Sequence, residues 1–254
     1  MSAFADWETG SRIGFESNID RSIDDGESDT HITGYVSLVR GTDNESRINL
    51  LWVANLEGTV FTNLSDLSYG LVGLAPYLIY VPLPTWTVSL SPFFRAKATA
   101  DSDLSSLTFG AKVVLEKTIS RKLYAGQYYI YTDSNANVET YSYNEHLFGA
   151  FIGFSWSKDL FSEMGYEFSR GDSFRTIDSA TIVPHGRGRF RTFSEIFGMD
   201  IISEKFDQHA VWVSTGIDWN ESLFSHITYT FNTGEGENGS AISHSGSVGI
   251  GYRF

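Results

Sequence analysis

Three arginines, Arg187, Arg189 and Arg191, stand at every second position. An extended backbone would throw all three guanidiniums to one side, and Arg170 and Arg175 lie shortly before them. Folded inward, this cluster would make a cationic constriction, because a guanidinium holds carboxylate or phosphate through paired hydrogen bonds. A solvated loop is the plainer reading of such a run. A second set of polar groups is spread along alternating segments: Arg12, Arg95, Lys97, Lys112 and Arg253 against Glu16, Asn49, Glu57, Glu116, Glu167 and Asp218. Ser134 with His146 offers a nucleophile and a base, the minimum that covalent hydrolysis needs.

Metal and redox chemistry have less to build on. The chain has no Cys, which removes thiol catalysis, disulfides and zinc-thiolate sites. His31, His185, His209, His226 and His244 lack the spacing of zinc ligands, and the acidic tip Asp24-Asp25-Gly26-Glu27 lacks that of a calcium loop. Neither metal nor cofactor is expected. A net charge of -13 argues against a nucleic-acid partner, since phosphate binding rests on Lys and Arg.

The elements that must carry these residues have an apolar period of two. Ile48, Leu50, Trp52, Ala54 and Leu56 alternate with Asn49, Leu51, Val53, Asn55 and Glu57. Leu107, Phe109, Ala111, Val113 and Leu115 alternate with polar or small residues, as do Phe148, Ala150, Ile152, Phe154 and Trp156. This is the strand signature. The stretch from Leu67 to Phe94 carries no charge and is long enough for a membrane helix, but Pro76, Pro82, Pro84 and Pro92 would break it repeatedly. A strand, a Pro-rich turn and a second strand fit better, with Pro76 and Pro92 each forfeiting a ladder bond.

Alternation alone does not say whether the apolar face is buried or lipid-facing. Two features point to lipid. Trp86, Trp156, Phe161, Trp219 and Phe224 flank short turns, where amphipathic rings seek a membrane interface. Short turns (118–122, 157–160, 220–223) also alternate with longer polar connections (21–29, 133–144, 233–243), the asymmetry of bacterial barrels. A hairpin repeat, G-x-x-W-x-x-x-L-F-S-x-x-x-Y-x-F-x-x-G, runs from Gly153 to Gly171 and again from Gly216 to Gly234. It puts both tight turns at one end. Twelve strands then follow, at about 7–20, 29–40, 46–61, 67–81, 85–98, 104–117, 122–132, 145–156, 161–171, 209–219, 224–232 and 244–254. Residues 173–208 are left as a long loop, or as a further hairpin that raises the count to fourteen.

The chain ends Ser247-Val248-Gly249-Ile250-Gly251-Tyr252-Arg253-Phe254. Ser247, Gly249, Tyr252 and Phe254 resemble the C-terminal β-signal of bacterial outer-membrane proteins. The resemblance implies an integral outer-membrane barrel, recognised by the barrel assembly machinery and set among outer-membrane lipid and lipopolysaccharide. Asp133-Ser134-Asn135-Ala136 is faintly similar to the His-x-Ser-Asn segment of outer-membrane lipid hydrolases, but Thr132 and Asp133 stand where the histidine belongs.

The sequence therefore predicts an all-β protein, a transmembrane antiparallel up-and-down barrel of about 12 strands, with 14 as the alternative. Residues 1–5 read as a leader remnant or tag and 6–254 as one barrel domain. The expected function is a channel for passive or weakly selective diffusion of small polar solutes, including anions. Arg95, Lys97, Lys112, Glu116, Glu167, Arg187, Arg189 and Arg191 would line its lumen or constriction. The alternatives are a non-conducting accessory barrel whose loops bind a partner, and a lipid hydrolase using Ser134 and His146; no enzyme is the favoured reading.

Overall fold

The computed structural model describes residues 2–22, 26–43, 47–177 and 191–254. Its strands are β1 (Ser2–Glu16), β2 (Asp29–Asp43), β3 (Ile48–Phe61), β4 (Tyr69–Leu83), β5 (Trp86–Thr99), β6 (Ser106–Thr118), β7 (Leu123–Ala136), β8 (Tyr143–Ser155), β9 (Leu160–Ile177), β10 (Arg191–Ser194), β11 (Met199–Asp218), β12 (Leu223–Gly236) and β13 (Gly239–Arg253). Each strand of the wall pairs antiparallel with its neighbours. β9 pairs with β11, and β13 returns to β1. Twelve strands thus close into a barrel, and the thirteenth, β10, pairs only with the first residues of β11.

Pleating sorts the side chains. One row along each strand points outward and is large and apolar yet exposed, as with Trp7, Leu50, Trp52, Phe109, Phe148, Tyr166, Val211 and Ile250. The other row carries Gly, Ser, Thr and charges into the lumen. No aqueous protein tolerates so continuous an apolar exterior, whereas a closed barrel in lipid requires one. The four β-signal residues follow the rule: Ser247 and Gly249 face inward, while Tyr252 and Phe254 are exposed outside with Val248 and Ile250.

Pro76 and Pro92 sit opposite each other. The β4–β5 register is the same on both sides of them, Leu74 facing Phe94 and Leu78 facing Leu90, and pairing lapses in between; a separate register shift lies between Tyr80 and Leu83, at Pro82. In an antiparallel ladder one hydrogen-bonded ring joins two directly opposed residues through both N–H groups. Both missing donors fall in one such ring. One local gap replaces the two separate defects expected from the sequence, and neither proline needs a bulge.

Several boundaries differ from the expectations. Residues 2–5 are paired strand, and β1 ends at Glu16, so residues 17–20 belong to the following connection. The connection expected at 233–243 shrinks to two residues because β12 and β13 run on to Gly236 and Gly239. Much of 173–208 is the β9–β11 hairpin continuing past the wall, with β9 18 residues long and β11 20. About 9–11 residues suffice to cross a membrane at barrel tilt, so this hairpin stands well clear of the rim. The fourteen-strand alternative is not realised, since β10 is only four residues long and never enters the wall.

Candidate functional site, a charged lumen under a loop-built cap

Aromatic rings lie flat along the inner wall because glycines make room for them. Gly149 faces Tyr128, Gly153 faces Tyr124, Gly126 faces Phe151 and Gly165 faces Trp212 across neighbouring strands. A Cβ at Gly149 would come within 2.2 Å of the Tyr128 ring, and one at Gly165 within 2.6 Å of the Trp212 indole. Only a missing side chain allows so close an approach. The rings consequently lie against the wall.

Charges project between the rings, and four carboxylates are held by a tyrosine hydroxyl. Tyr124 donates to Glu163 at 2.6 Å, Tyr69 to Glu57 at 2.8 Å and Tyr35 to Glu8 at 3.0 Å; Tyr128 donates to Glu167. Arg12 pairs with Glu57 at 2.9 Å, and Arg253 with Asp218 at 2.9 Å. The cations lean on aromatic faces: Lys112 over Tyr128, Lys97 over Tyr69 and Arg95 over Phe93, all near 5 Å. Each such contact contributes about 0.5–1 kcal/mol at a wet site. These groups stay solvated, Arg12 and Arg253 keeping 35 % and 45 % of their side-chain surface. The lumen is therefore wet.

At the end that carries the longer connections, the lumen is roofed. Leu67, Tyr141, Phe197 and Ile201 form a small buried core, with Ile19, Leu64, Leu104, Val138, Phe174 and Ile196 packed against it. These residues come from the connections after β1, β3, β5 and β7 and from the β9–β11 extension, so they converge from around the whole rim. The 3-10 turns at Ser65–Leu67 and Glu139–Tyr141 aim Leu67 and Tyr141 into it.

Polar bonds fasten this cap on two sides. Thr176 donates to the buried Asp20 carboxylate at 2.6 Å. On the other side Tyr141 donates to Ser194 at 3.2 Å, and the Thr140 and Thr192 hydroxyls are 3.0 Å apart. Burial pushes the Tyr141 hydroxyl up from its ordinary pKa, which keeps it a donor. Within the extension, Arg175 meets Glu204 at 2.8 Å with both side chains essentially inaccessible. Glu204 also accepts from the Asn238 amide at 2.6 Å, and Arg175 donates to the Gly239 carbonyl at 2.9 Å. Beneath the cap lies a cavity of about 260 Å³, bounded by Arg21, Tyr141 and Phe174 above and by Arg95, Lys97 and Thr108 on the wall.

The expected lumen residues Arg95, Lys97, Lys112, Glu116 and Glu167 all lie on inward rows. Arg187 and Arg189 lie outside the described residues, and Arg191 opens β10 opposite Ile202. Ser134 and His146 do not meet. Ser134 faces the lumen, buried against the Thr108 hydroxyl at 2.9 Å, while His146 faces outward and meets the Tyr129 hydroxyl at 2.7 Å. A two-residue pleat puts them on opposite faces of the wall, so the nucleophile-base pair expected for hydrolysis is not formed. Glu163, Tyr124, Tyr128, Asp20 and Glu204 escaped the sequence reading, and Arg175, expected beside a cationic constriction, is instead paired with Glu204; a Gly directly across from an aromatic marks the tyrosines, but only once the register is known.

No family model and no curated protein matches the chain. Solved structures do. A NanC porin superposes with a TM-score of 0.54 at 10 % identity, over 96 % of this chain and 98 % of that one. An anion-selective porin from Comamonas acidovorans gives 0.49 at 7 % identity, over 100 % and 99 %. A KdgM porin in complex with disordered oligogalacturonate gives 0.47 at 10 %, over 97 % and 99 %. The chain is an integral β-barrel of the bacterial outer-membrane type. Accordingly, this barrel's longer connections and cap mark the external side, and its short turns face the periplasm.

Proposed function

We propose that this barrel is an outer-membrane channel for passive or weakly selective diffusion of small polar solutes, with its external mouth closed by the cap. The observation that carries the reading is a wet lumen whose charged groups stay exposed inside a closed wall. A purely structural barrel of this width would gain stability by filling that space. Around the external cavity Arg21, Arg95 and Lys97 outnumber Glu145 and Asp172, a slight bias toward solutes bearing negative charge, and Glu116, Glu163 and Glu167 lower in the lumen favour the opposite. The two tiers together make selectivity by sign weak.

The test is conductance of the refolded protein in planar bilayers. Brief unitary steps are expected from the wild type and longer openings once the cap is loosened. A convergent cap over the whole rim also favours a second reading, an accessory barrel whose external surface binds a partner. Silence from both the wild type and a cap-loosened variant would select that reading.

A further inference from the structure

Three tyrosine-histidine pairs on the outer wall have no part in the lumen. Tyr129 meets His146 Nδ1 at 2.7 Å, Tyr166 meets His209 Nδ1 at 2.6 Å and Tyr229 meets His244 Nδ1 at 2.7 Å. The construction is the same each time. Each histidine lies directly opposite an aromatic residue, Tyr131, Phe168 or Phe231, at ring distances of 5.1 to 5.2 Å. The bonded tyrosine stands two residues before that aromatic on the same strand. In the second and third pairs these are the Y-x-F residues of the hairpin repeat.

All three pairs stand at one height. His146 lies opposite Arg170, which lies opposite Asp207, two residues from His209 on β11. His209 lies opposite Thr233, which lies opposite Ile242, two residues from His244 on β13. A drop of two residues for every two strands is the stagger of a tilted barrel. Each histidine is also followed ten residues later, at the periplasmic end of its strand, by Trp156, Trp219 or Phe254. At a rise of about 3.4 Å and a tilt near 40°, ten residues span about 25 Å, the height of the apolar band. The histidines therefore mark the upper edge of the hydrocarbon.

In the tautomer that carries its hydrogen on Nε2, each histidine accepts from the tyrosine hydroxyl at Nδ1 and presents an N–H donor away from it. Three N–H donors thus ring β7 to β13 where outer-leaflet headgroups begin. Cations accompany them: Arg170 stands beside His146, and Lys205 lies four residues above His209 on the same outward row. Asp207 holds Arg170 at 3.4 Å and Asp172 holds Lys205 at 2.7 Å, with Glu235 opposite Asp207 and Asp133 beside Tyr131 on the same outward rows. Exposed ion pairs of this kind contribute little, so a phosphate dianion competes for both cations.

We propose that this arc is a binding surface for the phosphorylated headgroup of an outer-leaflet glycolipid, with His146, His209 and His244 donating to phosphate and Arg170 and Lys205 neutralising it. The test is native mass spectrometry of the full barrel in maltoside micelles, loaded with bisphosphorylated lipid A or with its dephosphorylated form. The wild type is expected to retain the bisphosphorylated lipid preferentially. The His146→Phe/His209→Phe/His244→Phe variant keeps apolar rings at these positions and is expected to lose that retention about tenfold or more, as when hydrogen bonds to a charged group are removed. Heat-dependent gel mobility reports folding, and the three single His→Gln variants replace the triple variant should it not fold. Equal retention of both lipids by the wild type, or undiminished retention by the folded variants, would overturn the proposal and leave the pairs as an interfacial girdle.

Discussion

Glu204→Ala should open the cap. The substitution leaves Arg175 charged and without its carboxylate at a site where both side chains are essentially inaccessible, and it removes the acceptor of the Asn238 amide. Breaking one partner out of a buried pair costs about 3–5 kcal/mol. The pair lies at the base of the β9–β11 extension, level with the β12–β13 turn that supplies Asn238 and Gly239, so the cost falls on the anchoring of the extension at the rim and not on the membrane-spanning part of the wall. A tenfold change corresponds to about 1.4 kcal/mol, which places the shift in the open-to-closed ratio at roughly two to three and a half orders of magnitude. Single-channel recording reads it directly as open probability. A matched control, Arg175→Met/Glu204→Leu, removes both charges and should restore closure, because a well-packed apolar pair substitutes for a buried ion pair at little or no cost. A folded Glu204→Ala barrel with wild-type open probability would refute the assignment of this extension as the gate.

Other perturbations test separate parts of the structure. Thr140→Cys/Thr192→Cys, at hydroxyls 3.0 Å apart, should form a disulfide that abolishes openings until dithiothreitol is added. Gly165→Val places a branched side chain where a Cβ already lies 2.6 Å from the Trp212 indole; it should cost about 1–3 kcal/mol, lower the thermal midpoint and, by driving the ring off the wall, reduce unitary conductance. Neutralising Arg95, Lys97 and Lys112 to Gln should move the reversal potential in a salt gradient toward cation preference, and Glu163→Gln/Glu167→Gln should move it the other way. Pro76→Ala restores one N–H to the gap facing Pro92 and should stabilise the barrel by about 0.5–1.5 kcal/mol in denaturant unfolding.

The outer wall was legible because its signal is local. Whether Leu50 and Trp52 face lipid depends only on pleating and on their neighbours two residues away, and the repeat around Trp156 and Trp219 fixes the direction of the strands without any tertiary information. The cap was not legible for the opposite reason. Leu67, Tyr141 and Ile201 are far apart in sequence and carry no shared pattern; they meet because five connections happen to end over one axis. Lumen chemistry fell between these cases. Period two placed Lys112 and Glu167 inside, but the tyrosine that bonds each carboxylate is set by cross-strand register, which a single sequence does not specify.

The hairpin repeat shows how register turns residue types into heights. Its Trp, at positions 156 and 219, marks the periplasmic edge of the apolar band, and its Tyr, at 166 and 229, is bonded to a histidine at the opposite edge. The first copy takes that histidine from β11 and the second from β13, in each case the strand that follows in the wall, so the pairing is a property of closed barrel geometry and not of the repeat itself. The β7–β8 pair reproduces it with Tyr129 and His146 outside any repeat. Recurrence at one height, in both copies of the repeat and again in β7–β8 outside it, is what a function tied to the external lipid surface would select, and a hairpin copied merely for folding would not require it.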